Sequence, residues 1–325
     1  MPDGSTWLLT GGAGYIGAHI VHAFQSAGIE VVVLDDLSTG VRRKVPDGVT
    51  LVEASVLDTD RVAEALVDHG VGGVVHLAAK KAVGESVERP ALYFRENVDG
   101  LLSLLDAMEA TGVGRMVFSS SASVYGITDL EVVTEEVATS SRPVSPYGET
   151  KLIGEWLLRD LTRSAGLRST SLRYFNAAGA GGPGLGDTGV VNLIPMTFQA
   201  LAEGRPPQIF GGDWPTPDGT CIRDYIHVTD VADAHVAAAR ALDAGIALAP
   251  AYNLSRAVGV SVAEVMDTVR EVTGIDFEPE VVGRRPGDPA HIVGMADAIA
   301  RDLGWKAALD LHDMVSSAWE AWNAG

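Results

Sequence analysis

Residues 7–36 read WLLT, GGAGYIGAHIVHAFQSAGIE, VVVLDD: a short apolar segment, a glycine turn, an amphipathic stretch and a second apolar run ended by acids. Few patterns restrict a chain more. Ile16, Ile20 and Phe24 recur at helical spacing and Gly28 ends the repeat, which predicts a helix over 15–27. The unbroken apolar run at 31–36 predicts a strand covered on both faces, as in a parallel sheet. The alternation continues, with strands expected over 49–52, 74–77, 116–118 and 170–172 and helices over 61–67, 92–111 and 147–164. Strand–helix alternation of this kind predicts an α/β fold with a doubly wound parallel sheet. After about residue 176 the texture changes. The stretch AAGAGGPGLGDTG (177–189) predicts a flexible loop over a site, and the remainder predicts a smaller, less regular C-terminal lobe.

Glycines at 11, 14 and 17 give G-x-x-G-x-x-G between the first strand and its helix. Gly11 suits the tight turn, Gly14 lets a pyrophosphate approach, and Gly17 lets the helix pack on the sheet. The helix N-terminus offers N–H groups and partial positive charge to phosphates. Asp35 closes the second strand, where an acid can hold ribose hydroxyls. Asp36, Leu37 and Ser38 follow with no Arg or Lys, which favours NAD over NADP as cofactor.

Charge decides which partners fit. The 325-residue chain carries 24 Lys and Arg against 43 Asp and Glu, a formal charge of −19. Such a surface repels nucleic acid and anionic lipid as a whole, so neither is an expected partner. An anionic ligand needs local cations and N–H groups. No apolar run approaches the ~20 residues of a membrane helix. Residues 1–10 lack the basic flank and apolar stretch of a secretory signal. A single cysteine, Cys221, excludes an internal disulfide and fits a reducing cytoplasm. No metal site is expected.

The segment SPYGETK (145–151) places Tyr147 and Lys151 one helical turn apart behind Pro146. A free phenol titrates at about 10. A lysine ammonium beside it favours the phenolate, as does a positive nicotinamide ring. Tyr147 could then take a proton from a sugar hydroxyl as the carbon gives up hydride. FSSSASVYG (118–126) follows another strand, so Ser121 falls at its carboxyl end, where ligands bind in open α/β sheets.

With TGGAGYIG, VVVLDDLS, HLAAKKAVGES, FSSSASVYG, SPYGETK, LRYFNAAGA, GTCIRDYIHVTDVADAH and RRPGD, the chain resembles the extended short-chain dehydrogenase/reductases over nearly its whole length. KAVGES and DGTxxRDYIHV resemble the branch that epimerises nucleotide sugars. The resemblance implies a Rossmann domain binding NAD over residues 1–175 and a nucleotide-sugar lobe over 176–325, with some segments returning to the first. It implies 4-epimerisation of UDP-glucose and UDP-galactose through a 4-keto sugar, with Tyr147, Lys151 and Ser121 catalytic.

By the same similarity the cofactor shell holds Gly11, Gly14, Tyr15, Ile16, Gly17, Asp35, Asp36, Leu37, Ser38, Val56, Leu77, Ala78, Ala79 and Lys81. Asn97, Ser119, Tyr147, Lys151, Tyr174 and Phe175 complete it. Relatives carry an acid after the third strand where this chain has Ser55. The UDP-sugar would meet Lys81, Ser121, Ser123, Tyr147, Asn176, Asn192, Leu193 and Gln208. Phe210 would lie near the uracil, Arg223 and Arg285 on the diphosphate, and Asp288 on a ribose hydroxyl. Relatives pair as homodimers through helices matching 92–111 and 147–164.

Three alternatives stand beside this reading. Dehydratase and decarboxylase relatives need a carboxylate where this chain has Ser121, Ala122 and Ser123, which disfavours both. Another nucleotide sugar is open, since residues 289–297 contain no tyrosine and the pocket could admit an N-acetyl group. A non-catalytic NAD sensor is the reading of a different class.

Overall fold

The computed structural model describes residues 5–128, 130–137, 139, 143–285 and 288–324. Among them, seven parallel strands form the main sheet. In chain order these are β1 (Thr6–Thr10), β2 (Val31–Asp35), β3 (Thr50–Glu53), β4 (Val71–His76), β5 (Arg115–Ser121), Arg168–Tyr174 and Ala251–Leu254. Their spatial order is β3, β2, β1, β4, β5, Arg168–Tyr174, Ala251–Leu254. Every residue of β2 is buried, which is why its sequence shows no polar alternation before Asp35. The winding reverses between β1 and β4. Such a reversal leaves a crevice at the carboxyl ends of the strands.

Helices cover both faces, as a doubly wound sheet requires. Helix α1 (Tyr15–Ser26) buries Ile20, Val21 and Phe24 and packs beside the helix Val228–Asp243. On the opposite face α2 (Thr59–Asp68) packs beside Gly100–Thr111. The Asp58 carboxylate caps α2 by accepting from Arg61 N at 3.1 Å. The expected continuous helix over 92–111 differs in form. Pro90–Phe94 and Gly100–Thr111 are joined by a π turn, Arg95–Asp99. That wide turn carries Asn97. Its amide donates to Lys80 O and Thr150 Oγ1, both at 3.0 Å, and accepts from Lys80 N at 2.8 Å. Three segments are thereby tied at one buried side chain, a common place for a π turn.

The remaining described strands form two smaller sheets. Ile222–His227 pairs with Gly259–Ser261, His291–Gly294 and Asn176–Ala178, and Gln208–Phe210 pairs with Glu280–Val282. The chain crosses residue 175 in both directions. Val228–Asp243, Ala251–Leu254, Ile299 and Trp305 join the core under the main sheet, while Val132–Val133 pairs with His291–Gly294.

Three histidines sit in this core as neutral rings. His76 Nδ1 meets Thr10 Oγ1 at 2.7 Å, and His235 Nε2 meets Ser119 Oγ at 2.9 Å. His19 Nε2 accepts from Gly181 N at 2.7 Å. Burial lowers their pKa values to about 3, about 4 and about 4 respectively, from an ordinary 6.5. The unfolded chain therefore takes up these protons first as pH falls. Each ring gives stability that is present above 6.5 and lost as pH drops toward 4, on the order of 1 kcal/mol per pH unit. We expect the urea midpoint to fall steadily between pH 7 and pH 5. A flat midpoint over that range contradicts the burial of these rings as neutral groups.

Candidate active site

The crevice at the β1/β4 reversal is built on backbone contact. Gly11 turns the chain in the left-handed region, φ +73°, and a Cβ there would lie 2.8 Å from Ala78 N. A Cβ on Gly17 would lie 2.1 Å from Gly11 O. Gly14 is different, since its Cβ would meet only Gly11 O, at 3.3 Å, with open space beyond. Helix α1 has Gly14 at its N-cap, with no side-chain cap bond and no acid in its first turn. Its first N–H groups are thus left for an anion.

Asp35 holds the glycine turn from the next strand. One carboxylate oxygen accepts from Ala13 N and the other from Leu37 N, both at 2.9 Å. Burial pushes its pKa up, while those two bonds oppose the rise. A carboxylate accepts about four hydrogen bonds, so two positions remain for hydroxyl donors. Asp36 and Ser38 are exposed beside it, and Leu37 bends the backbone with φ +56°. The crevice encloses about 450 Å³. Gly11, Gly14, Tyr15, Ile16 and Gly17 line one end together with Asp35, Asp36 and Ser38. Ser55, Val56, Leu77, Ala78, Ala79 and Lys81 follow along the wall, and Tyr147, Lys151 and Tyr174 stand at the other end. Ser55 Oγ accepts from Leu57 N at 3.2 Å.

The helix Pro146–Ser164 brings Tyr147 and Lys151 to that far end. Ser145 caps it by accepting from Gly148 N at 3.2 Å, and Pro146 fixes its first turn. Ser121 Oγ hydrogen-bonds Tyr147 and lies 3.1 Å from Ser123 Oγ. A Cβ at Gly148 would meet Ser123 O at 2.8 Å, so the helix seats tightly on the serine segment. The charges differ from the sequence expectation. Burial raises the Tyr147 pKa, and only the Ser121 bond lowers it. Lys151 points its ammonium to Ser119 O at 2.8 Å and lies 5.0 Å from the Phe118 ring centre. Burial lowers the Lys151 pKa to about 8, against the pull of Glu155. Desolvation outweighs the Ser121 bond, and the phenol is held neutral.

Four expected cofactor residues lie outside the crevice wall. Leu37 and Asn97 act through the bonds already described. Ser119 Oγ is engaged by His235, and Phe175 packs in a separate cluster against Gly294. Lys80, within the expected stretch 77–81, and residues 187–189 of the expected loop also line the crevice, whereas sequence reasoning missed Lys44 and Glu96, which line it too. It also missed Glu155, which accepts from Ser120 Oγ at 2.5 Å and is paired with buried Arg173. The i, i+4 spacing from Lys151 was the available signal.

Apart from Lys81, Ser121, Ser123 and Tyr147, the expected sugar-nucleotide residues fall into two groups. Arg285 stacks its guanidinium 3.7 Å from the Phe210 ring centre, and Arg223 lies 3.7 Å from Asp288. Arg223 also donates to Ile222 O at 2.9 Å. Neither Asp224 nor Asp230 takes it, since Ser255 and Arg256 N hold the first and Ala308 N and Leu309 N the second. Gln208 is exposed and bonds Glu280 at 3.0 Å. Asn176, Asn192 and Leu193 line a second cavity of about 420 Å³, which shares Tyr15, Asp187 and Thr188 with the crevice. Asn176 donates to Asp224 O at 2.9 Å and Asn192 to Asp187 at 2.7 Å. Pro286 and Gly287 of RRPGD lie outside the described residues.

The expected loop over 177–189 is stitched down. Tyr15 Oη donates to Gly179 O at 2.6 Å, and Ala180 N donates to Ser317 Oγ at 3.2 Å. A Cβ on Gly179 would lie 2.5 Å from His227 Nε2. Gly179 serves both this close approach and a left-handed turn, φ +88°, whereas Gly182 and Gly184 face open space.

Comparison with known proteins agrees with this geometry. The pattern of the NAD dependent epimerase/dehydratase family matches residues 7–254. The UDP-glucose 4-epimerase of Azospirillum brasilense is 45% identical over 320 residues, 96% of this chain and 91% of the relative. A UDP-glucose 4-epimerase from Brucella ovis, solved with NAD, superposes with a TM-score of 0.93 at 39% identity over 99% of this chain and 98% of that one. One from Stenotrophomonas maltophila, solved with NAD and formylated UDP-arabinopyranose, gives 0.92 at 39% identity over 98% of both chains.

Alanine at Gly17 must displace the Gly11 carbonyl. We expect Gly17→Ala to lose about 1–3 kcal/mol in urea unfolding, and Gly14→Ala to lose clearly less. Equal stability of the two variants contradicts this account of the turn.

Proposed function

The chain belongs to the NAD dependent epimerase/dehydratase family, and from that premise we propose that it acts as an NAD-dependent 4-epimerase on UDP-glucose. The observation that carries the reading is one crevice joining the glycine turn and Asp35 to Tyr147 and Lys151. Open space beyond Gly14, an uncapped helix N-terminus and spare acceptor positions on Asp35 fit a dinucleotide. When bound, NAD supplies a hydride acceptor and donor and a positive ring.

The chain's own residues handle the proton. With a positive nicotinamide ring in the crevice the Tyr147 phenol would give its own proton to solvent, and the phenolate Oη, with Ser121 bonded to it, then takes the C4 hydroxyl proton. Lys151, lowered to about 8 by burial against the pull of Glu155, favours the phenolate as it forms. Hydride loss at C4 leaves a 4-keto sugar, which turns about its diphosphate link. Hydride then returns to the opposite face, and Tyr147 gives the proton back. We assign the uridine diphosphate to Phe210, Arg223, Arg285 and Asp288, where paired guanidinium N–H groups suit phosphate. In this reading the main-sheet half holds NAD and the smaller half the nucleotide sugar.

Two coarser features support further assignments. Leu102 on Gly100–Thr111 and Trp156 on Pro146–Ser164 are exposed, which supports a homodimer through those helices. No described helix is long and apolar enough to cross a membrane. With Cys221 as its one thiol, the chain suits the cytoplasm.

The deciding experiment is Tyr147→Phe in a coupled assay with UDP-galactose. We expect no measurable turnover while the purified variant still holds NAD. Turnover near wild type removes Tyr147 from the mechanism. UDP-GlcNAc in the same assay reads the N-acetyl tolerance expected from residues 289–297.

A further inference from the structure

Lys44 is a buried charge for which the proposed reaction has no use. It sits in the single turn Arg42–Lys44 after β2 and is only 2% exposed. A lysine this far from water needs a specific reason. Its ammonium donates to Gly186 O at 2.7 Å and reaches Thr188 Oγ1 at 3.5 Å. Between those two acceptors lies Asp187, whose side chain is 8% exposed. That carboxylate accepts from Gly189 N at 3.0 Å and Asn192 Nδ2 at 2.7 Å, and Lys81 Nζ stands 3.9 Å away.

The position of this knot is informative. Lys44, Asp187, Thr188 and Gly189 all face the crevice that carries the glycine turn. The other side of the same strap faces the second cavity. The root of the strap is fixed independently, by Tyr15 Oη on Gly179 O and by Gly181 N on His19 Nε2. Its middle is held by Lys44 and by the Asp187 contacts, from residues 142 and 106 positions away in the chain. Arg43, Lys81 and Asp187 are the charged groups that act on the Lys44 ammonium.

We propose that Lys44 is a dinucleotide-retaining residue: its buried ammonium tethers residues 186–188 across the crevice, and bound NAD leaves only when the tether opens. The inference rests on the proposal that the crevice binds NAD. A tether of this kind slows entry and release together. A plain ligand contact slows release alone.

The test uses the full-length protein loaded with NAD and freed of excess by gel filtration. Released NAD is trapped by an auxiliary alcohol dehydrogenase with ethanol and read at the NADH absorbance band. Entry is followed by quenching of tryptophan fluorescence on adding NAD. Lys44→Met keeps the buried aliphatic stem and removes the charge. We expect it to speed release by at least about tenfold, as loss of a charge-assisted hydrogen bond implies, and to speed entry as well. Asp187→Asn, which lies on the strap itself, is expected to shift both rates in the same direction. Should Lys44→Met fail to fold, Asp187→Asn decides alone. Release within twofold of wild type in a folded variant overturns the tether but leaves the NAD assignment standing. Faster release with unchanged entry also overturns it, leaving Lys44 a plain contact. A wild-type protein that neither carries nor binds NAD removes the assignment and the tether together.

Discussion

Helix α1 reaches the crevice only because two peptide groups touch where any side chain would keep them apart. The Gly11 carbonyl occupies the space in which a Gly17 Cβ would stand, at 2.1 Å. That contact presses the first turn of α1 against the carboxyl end of β1. Gly11 in turn lies against the backbone of Ala78, just beyond β4. The glycine turn therefore bridges the two strands between which the sheet reverses. Asp35 fastens the arrangement from β2 through Ala13 N. Three strands, one helix and one carboxylate meet within a few residues, and the crevice is the space they leave.

The Tyr147 and Lys151 end of the crevice is governed by desolvation more than by the charges around it. Burial raises the phenol of Tyr147 and lowers the ammonium of Lys151 to about 8. Both shifts favour neutral groups. Glu155 works against the second shift from one turn further along the helix. It is itself paired with Arg173, whose guanidinium also donates to Tyr125 Oη at 2.9 Å, and that hydroxyl donates to Asn253 at 2.7 Å. The chain thus runs from the helix Pro146–Ser164 across the neighbouring strand Arg168–Tyr174 to the sheet-edge strand Ala251–Leu254. A network this deep fixes Glu155 in place, because a broken member would leave an unpaired buried charge. The resting phenol stays protonated until positive charge in the crevice favours its anion.

Much of this was legible in residue order. The run VVVLDD announced a strand covered on both faces, and G-x-x-G-x-x-G after an apolar segment announced the turn. Tyr147 and Lys151 were readable because helical spacing places them on one face. Other features depended on distant partners. The π turn at Arg95–Asp99 is set by what Asn97 must reach, namely Lys80 and Thr150, and no local pattern marks it. The glycines of 177–189 suggested mobility by composition, yet Gly179 and Gly181 are small because His227 and His19 press on them. Lys44 was unreadable for the same reason. In sequence it is one base in VRRKV, and only its bond to Gly186 O, 142 residues away, makes it unusual.

The chain as a whole carries −19, and a dinucleotide diphosphate is an anion. Four lysines line the crevice, Lys44, Lys80, Lys81 and Lys151, against four acids, Asp35, Asp36, Glu96 and Asp187. Formal charges there cancel, so the site is not a positive funnel within an acidic surface. Two of the lysines are also spent on carbonyls, Lys44 on Gly186 and Lys151 on Ser119. Besides Lys80 and Lys81, a diphosphate has the peptide N–H groups at the start of α1, where no acid stands in the first turn. Fixed dipoles of this kind need no mobile counter-charge and are screened little by salt when covered. An acidic protein can hold an anion on such terms, provided the glycines let the ligand touch the backbone itself.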